Sequence, residues 1–476
     1  MTKRVAIIGA GPAGMACARM LCREEGFTID IYDDRESVGG LCGSFKACNQ
    51  IVDYGPHLLY LRDQRATDFY YSNVQDDELI EVPRFSRIFY RNKYFLYPVR
   101  VGDALRNLGF WESVRCVLSF IKGKLFPLKG DSFEDWVANS FGYRLYSIFF
   151  KVYSEKVWGV KCTSLDKSFA QQRMKKLDLL ETIKEALKLK NTNEVEETSI
   201  THFRYPKFGS GVVYEHLADE LRANGVTIHL NTEVVKIHTK DHKATGIDFY
   251  RQGTDGTREL CHEDYDIVVS SAPFTEMVKS IDEVDARTLE YVNKLRYRNT
   301  VLAFVEVDND HVGPDQWLYV VSNDVQFGRM TNFGNWSTYM KLGAKTNILC
   351  LEYWMNDEDE LWNLSKTDFI SLVRKDVTTA QFATEAQIKS VELKRIHRSY
   401  PVYAKGYLDN LRPVYHAMDD FRDLYFIGRN GAFKYNNQDH SIVMGMLCAD
   451  KIMGRYQGSL WDVNTDNTYQ YVTKAK

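Results

Sequence analysis

The sequence predicts an α/β protein. Its parallel-sheet core is assembled from separated segments, with a helical domain and an antiparallel β-sheet domain inserted between them. Three observations predict this. Residues 4–33 read as strand, glycine turn, helix, strand. Apolar β-type runs suited to the same sheet return only near residues 225–237, 266–273 and 424–429. Between these, apolar residues recur at helical spacing within 101–200, and in short turn-bounded β runs within 297–356 and 388–400.

The first element is the most informative. Val5–Ile8 is an apolar strand that runs into Gly9-Ala10-Gly11-Pro12-Ala13-Gly14, and Met15, Ala18 and Leu21 then share one helix face. Ile29-Asp30-Ile31-Tyr32 is a second strand, ending at Asp33. This is the setting a dinucleotide fingerprint requires. Gly9 permits the tight turn, Gly11 admits a pyrophosphate against the backbone, and Gly14 lets helix and strand pack closely. The helix N-terminus offers unpaired N–H groups to phosphate. Asp33 lies about 20 residues past Gly14, where an acid accepts hydrogen bonds from an adenosine ribose. Asp34 follows, and then Gly39-Gly40-Leu41. That glycine pair resembles the extended fingerprint of FAD-dependent oxidases and mutases, which makes the core an FAD-binding Rossmann-like domain.

Gly225–Leu230 followed by Val234-Val235-Lys236-Ile237 reads as the strand pair on the adenosine side, with Val235 at the cofactor. Asp266–Pro273 reads as the returning strand, and Leu424-Tyr425-Phe426-Ile427-Gly428-Arg429 as the last parallel strand. The predicted FAD-binding domain therefore takes residues 1–85, 203–290 and 412–476. The helical domain takes 101–200. The antiparallel sheet domain, which carries the substrate site, takes 86–100 and 291–411. Ser132 is placed to cap a helix in which Trp136, Phe141, Leu145, Phe149 and Val152 recur. Residues 114–130 and Leu177–Leu189 read as amphipathic helices.

Composition bounds the function. The chain has 476 residues, long enough for two or three domains, with 44% hydrophobic and 26% charged residues. The formal net charge of −3 excludes a nucleic-acid binder held by bulk charge, so an anionic ligand must be met by local cations. The nine cysteines form no Cys-x-x-Cys and the 11 histidines no His-x-x-x-His pair on a helix, so no metal-ligand spacing is evident. Unpatterned thiols, no secretory leader and no long apolar run predict a cytoplasmic protein without a transmembrane segment. Aromatic residues reach 13%, enough for a large core and a ring-lined pocket.

Later motifs carry a family resemblance. They are Tyr54-Gly55-Pro56-His57; Tyr94-Phe95-Leu96-Tyr97-Pro98; and Lys156-Val157-Trp158-Gly159 leading to Gln172-Arg173. Further on come Trp317-Leu318-Tyr319, Phe327-Gly328-Arg329-Met330-Thr331-Asn332-Phe333 and Tyr400-Pro401. The last runs from Gly428-Arg429-Asn430-Gly431 through Lys434-Tyr435 to Asn437-Gln438-Asp439-His440-Ser441. Together they resemble the UDP-galactopyranose mutases, the eukaryotic branch more than the bacterial. They also resemble flavoproteins of the protoporphyrinogen-oxidase and amine-oxidase type. Val99-Arg100 stand where the mutases carry a glutamine that meets uracil.

The resemblance implies an FAD enzyme that interconverts the pyranose and furanose forms of a nucleotide-diphosphate sugar for glycan biosynthesis, through a sugar adduct at N5 of reduced flavin. NADPH or NADH is the implied reductant, and a homo-oligomer is compatible with it. The alternative is an FAD-dependent oxidase or desaturase. By the same resemblance Arg329, with Arg173 second, holds the diphosphate, and Tyr400 and Tyr435 add hydroxyl donors. His57 shapes a loop against the flavin. Trp158, Trp317 and Tyr319 face the substrate. Gly428, Arg429, Asn437, Gln438, Asp439 and Ser441 border the flavin at a helix N-terminus. Plainer readings stand beside these: Arg329 as an ion pair within the sheet, both tryptophans as core, and Asp439 and His440 as helix caps.

Overall fold

The computed structural model describes residues 2–57, 63–97, 101–167, 202–252, 257–308 and 312–464. Its centre is a five-stranded, all-parallel sheet in the order Leu424–Phe426, Ile267–Ser270, Lys3–Ile8, Phe27–Tyr32, Thr227–His229. Strands far apart in sequence thus lie side by side. Val5, Ile7, Ile29 and Ile31 pack on one face with the helices Pro12–Leu21 and Gln438–Ile452. Ala6, Ile8, Tyr32 and Val268 pack on the other. Both faces are covered, which is why these strands read as continuous apolar runs.

The pair expected at 225–237 divides. Thr227–His229 joins the parallel sheet, whereas Thr232–Lys240 begins a separate antiparallel sheet with Lys243–Gln252 and Arg258–Asp264. The chain turns at Asn231, whose φ is +50°. The turn is tied down by Asn231 N–H to the Arg35 carbonyl and Thr232 N–H to the Asp33 carbonyl.

The other large layer is a seven-stranded sheet. Its order is Ile388–Pro401, Tyr297–Val307, Asn347–Met355, Arg329–Asn332, Trp317–Val320, Ser86–Tyr90, Lys93–Leu96. It is antiparallel except where Trp317–Val320 runs parallel to Ser86–Tyr90, a strand contributed from far upstream. Along Tyr297–Val307, Val301, Ala303 and Val305 pack with the helix Lys366–Thr379. Leu302 and Phe304 face the opposite way, toward Trp317 and Trp336.

Residues 101–158 are helical. Ser132 caps the helix Phe133–Phe141 in both directions: Ser132 Oγ accepts from Asp135 N–H (3.2 Å) and Asp135 Oδ2 accepts from Ser132 N–H (3.0 Å). The periodic run from Trp136 to Val152 is not one helix. It breaks at Gly142 (φ +84°), resumes at Tyr143–Tyr146, passes through a π-helical turn at Ser147–Lys151 and ends as Val152–Trp158. Phe110–Leu125 is an amphipathic helix that buries Cys116 and Phe120. The expected helix at 177–189 lies outside the described residues. Among the described residues no helix is long and apolar enough to cross a membrane.

Candidate functional site

The glycine turn is built as a cradle. A Cβ on Gly14 would lie 2.0 Å from the Gly9 carbonyl oxygen, so the helix can sit this close to the strand only with glycine there. A Cβ on Gly40 would lie 3.1 Å from Gly11 Cα, and Gly39 N–H donates to the Ala10 carbonyl at 2.8 Å. The Gly39-Gly40-Leu41 segment is thereby laid against the turn. Pro12 and Ala13 open the helix, and Gly11, its N-cap, offers no side chain to the first-turn N–H groups.

Asp33 sits at the edge of this cradle, 8% exposed. Its Oδ2 accepts Ala10 N–H (2.7 Å) and its Oδ1 accepts Arg35 N–H (2.9 Å). Burial nevertheless lifts its pKa to about 6, with the neighbouring charge of exposed Asp34 adding to the rise. Arg35 lies over the Tyr54 ring at 5.0 Å, and its Nη1 is buried with no hydrogen-bond partner. Val235 has no partner opposite it on Lys243–Gln252, because a β-bulge falls between Val234 and Lys236.

The C-terminal motif closes the other side. Gly428 turns with φ +82°, and a Cβ there would lie 3.0 Å from the Ala13 side chain. Arg429 Nε donates to the Asn436 carbonyl (2.7 Å). Asn437 is the N-cap of the helix Gln438–Ile452: its N–H donates to His440 Nδ1 (3.2 Å), and its carbonyl accepts from Ser441 Oγ (3.1 Å). Gln438 hydrogen-bonds the Tyr214 hydroxyl, and buried Asp439 Oδ1 accepts His440 N–H (2.9 Å). His440 therefore serves the helix cap.

Beside this cradle the three parts of the fold gather rings and cations. Tyr400 and Tyr435 stack at 5.5 Å and 19°. The Arg429 guanidinium lies 5.4 Å from one ring centroid and 5.2 Å from the other. Trp158 packs on Tyr435 at 5.4 Å, held there by Arg298, which donates to the carbonyls of Val157 and Lys156. Tyr319 contacts Tyr97 (4.6 Å) and Tyr153 (5.2 Å), and Tyr153 contacts Trp354 (5.9 Å). Arg329 lies 5.7 Å from the Trp354 ring.

Arg329 is bound in the sheet. It pairs with Glu352 on the adjacent strand through Nε and Nη2, the latter at 2.5 Å. Nη1 takes no part in that pair. The carboxylate raises the arginine's pKa well above its ordinary value against the opposing effect of burial, so the charge is permanent. The Gly55 to His57 loop passes over the pair; a Cβ on Gly55 would lie 3.4 Å from Glu352 Oε1 and 3.8 Å from Arg329 Nη2. His57 Nε2 is buried with no hydrogen-bond partner. Burial, reinforced by the charges of Arg429 and Arg329, pushes the His57 pKa down to about 3, so the ring is neutral.

The structure therefore brings together Arg329, Tyr400, Tyr435, Trp158, Tyr319, Arg429 and His57. It does not bring Trp317 into that group: where Trp158 meets Tyr435, the Trp317 ring packs on Trp336 at 5.6 Å, inside the sheet core. Arg173, Val99 and Arg100 lie outside the described residues. Sequence reasoning missed Glu352, Tyr153, Trp354 and Arg35. Glu352 had a signal, as the one acid in the apolar strand Asn347–Met355. Tyr153 had none beyond helical spacing.

A dinucleotide cofactor fits these residues. Arg35 Nη1, two residues past Asp33, and His57 Nε2, whose residue meets the Leu41 backbone, are buried polar atoms left without a partner, and the helix N-terminus at Gly11 has no side-chain cap.

Comparison with known proteins agrees on the fold. Residues 7–72 match the NAD(P)-binding Rossmann-like domain family. A crystal structure of reduced UDP-galactopyranose mutase matches with a TM-score of 0.81 at 22% identity, covering 98% of this chain and 99% of that one. The two share one fold. A Klebsiella pneumoniae protein named "Probable UDP-galactopyranose mutase" is 27% identical over 178 residues, 36% of this chain and 44% of the relative. The match thus spans less than half of that relative's length. The coproporphyrinogen III oxidase of Staphylococcus aureus is 23% identical over 485 residues, 95% of this chain and 99% of its own.

Proposed function

We propose that this chain is an FAD-dependent nucleotide-sugar mutase that interconverts pyranose and furanose rings. The observation that carries the reading is the meeting of Arg329, Arg429, Tyr400 and Tyr435, from three separate segments, in one cluster of rings and cations beside the dinucleotide cradle. A diphosphate carries roughly two negative charges, and arginine meets phosphate oxygens with charge-assisted hydrogen bonds. Likeness to two UDP-galactopyranose mutases supports the same reading.

The first-turn N–H groups after Gly11 would hold the FAD pyrophosphate, Asp33 the ribose hydroxyls, and Arg35 a phosphate or the adenosine. When bound and reduced, flavin supplies an electron-rich nitrogen able to attack an anomeric carbon. The protein's part is positional and electrostatic. Glu352 fixes the Arg329 fork, so that Nη1 can meet a leaving diphosphate oxygen without reorganising. Tyr400 and Tyr435 add neutral donors, since burial keeps the Tyr400 hydroxyl protonated by raising its pKa. His57, neutral and without a partner atom for Nε2, can orient the ring system but carries no charge to it. Trp158, Tyr319, Tyr153 and Trp354 exclude water and offer flat faces to a sugar and base.

The test uses dithionite-reduced, FAD-loaded protein with UDP-galactopyranose and a wider panel of nucleotide sugars, separated by chromatography. Isomer formation that stops on reoxidation supports the reading. No isomer of any member, with flavin retained, overturns it.

A second reading has its own support. Glu352 already meets much of the Arg329 charge, most of the wall is aromatic, and the Staphylococcus oxidase aligns along nearly the whole chain. An FAD-dependent oxidase of a flat, anionic substrate would also fit. Oxygen uptake with flavin turnover identifies it, because a mutase shows no net redox change.

A further inference from the structure

In the three-stranded antiparallel sheet, adjacent strands place three metal-capable side chains on one face. They are His238 in Thr232–Lys240, Asp248 in Lys243–Gln252 and His262 in Arg258–Asp264. The other face of this sheet is core, through Val234, Ile237, Ile247 and Phe249. Asp248 stands directly across from His262. Its Oδ1 lies 2.7 Å from His262 Nδ1 and 2.9 Å from His238 Nε2, and the three ligand atoms all lie within 4.8 Å of one another. A zinc-type ion about 2 Å from each donor needs them about 3.3 Å apart, so both imidazoles need draw back from Asp248 by only about half an ångström to admit it.

Two further observations point to a ligand. His238 Nε2 is buried with no hydrogen-bond partner, although Asp248 is near: the approach is close but not aligned for a hydrogen bond. Both histidines also have a carboxylate behind them. His238 Nδ1 lies 2.9 Å from Asp282 Oδ2, and His262 Nε2 lies 3.3 Å from Asp264 Oδ1. Lys236 Nζ holds the second Asp282 oxygen at 2.7 Å, which fixes that carboxylate. A metal-binding histidine characteristically uses one ring nitrogen for the ion and gives the other N–H to an acid.

We infer that His238, Asp248 and His262 form a surface site for a divalent transition-metal ion of the zinc class, stapling the three strands together. Two imidazoles with one carboxylate suit zinc, cobalt or nickel; calcium and magnesium require more oxygen ligands. Three protein ligands leave a fourth position for water. The ligands are spread over three strands, so no local sequence spacing announces them.

The test uses the full-length, tag-free protein, stripped with chelator and titrated with Zn²⁺ by calorimetry and with Co²⁺ by electronic absorption. The expected result is one ion per chain, a raised melting temperature, and cobalt d–d bands without a thiolate charge-transfer band. Asp248→Asn and His262→Gln should abolish saturable binding, and Asp282→Asn should weaken it about tenfold or more. His262 is half exposed on an outer strand, so its variant should match the wild-type melting temperature in chelator. Binding that survives Asp248→Asn and His262→Gln, a thiolate band, or no saturable binding overturns the site and leaves a metal-free His–Asp–His ladder.

Discussion

Arg329 and Glu352 face each other across adjacent antiparallel strands, and the guanidinium fork closes on a carboxylate that is only 2% exposed. The pair is at once a sheet contact and a wall of the candidate substrate pocket. Its two roles separate experimentally. Removing Arg329 strands a buried carboxylate, so Arg329→Met should cost about 3–5 kcal/mol in urea denaturation. Removing both charges, as Arg329→Met with Glu352→Leu, should cost clearly less than the sum of the single changes. Additive losses would show that the pair carries no coupling. Arg329→Lys keeps a charge but loses the fork, and should lower kcat/KM on any diphosphate substrate by about a hundredfold or more.

His57 gives a pH prediction. Its folded pKa of about 3 is depressed below the ordinary histidine value of about 6.5. The unfolded chain therefore takes up a proton that the folded chain refuses, and stability falls as pH drops below 6.5. By pH 5 this should amount to about 2 kcal/mol. In denaturant midpoints measured on apoprotein from pH 8 to pH 5, His57→Gln should show a shallower fall than wild type by that amount. Because the ring stays neutral throughout this range, pH–rate profiles between 5 and 8 should carry no limb from His57. A kinetic limb that vanishes in His57→Gln would refute the buried, neutral assignment.

Asp33 titrates the other way. Its folded pKa of about 6 is raised above the ordinary value of about 3.9, so the folded apoprotein holds a proton that the unfolded chain has released. This contribution to stability is present below about pH 4 and is lost as pH rises through 6, to the extent of about 3 kcal/mol. Asp33→Asn should flatten that dependence. Ribose hydroxyls donate to the ionised carboxylate, so FAD affinity should rise with pH up to about 6 and then level off. Calorimetry of FAD binding near pH 6, in two buffers of different ionisation enthalpy, should register proton release in wild type and none in Asp33→Asn. Equal release from both proteins would place the titrating group elsewhere.

How much of this was legible in the sequence follows from where the information lies. The parallel sheet was legible because its strands are covered on both faces and Gly14 has one packing role. The Ser132 cap was legible because its partner is three residues away. The split at Asn231 was not, because what decides it is a turn bonded to the backbone of Asp33 and Arg35, nearly 200 residues upstream. The break at Gly142 was hidden by apolar spacing that continues through it. Glu352 was missed because its meaning depends on cross-strand register with Arg329, and no local pattern encodes register.

Trp317 and Tyr319 share a strand and a face two residues apart, yet their surroundings differ. Trp317 is enclosed by the core around Trp336, whereas Tyr319 meets Tyr97 and Tyr153 at the pocket. Truncating Trp317 to alanine leaves a cavity in a packed sheet and should cost about 3–5 kcal/mol in stability. The fraction still folded at low temperature should keep its kcat/KM. Tyr319→Phe and Tyr400→Phe remove one hydroxyl each and keep the ring, so both should melt within a few degrees of wild type. If either hydroxyl donates to a charged substrate, its loss should lower kcat/KM about tenfold or more, with the flavin absorption spectrum retained. The opposite assignment, a Trp317 change that lowers kcat/KM without lowering stability, would return that ring to the substrate.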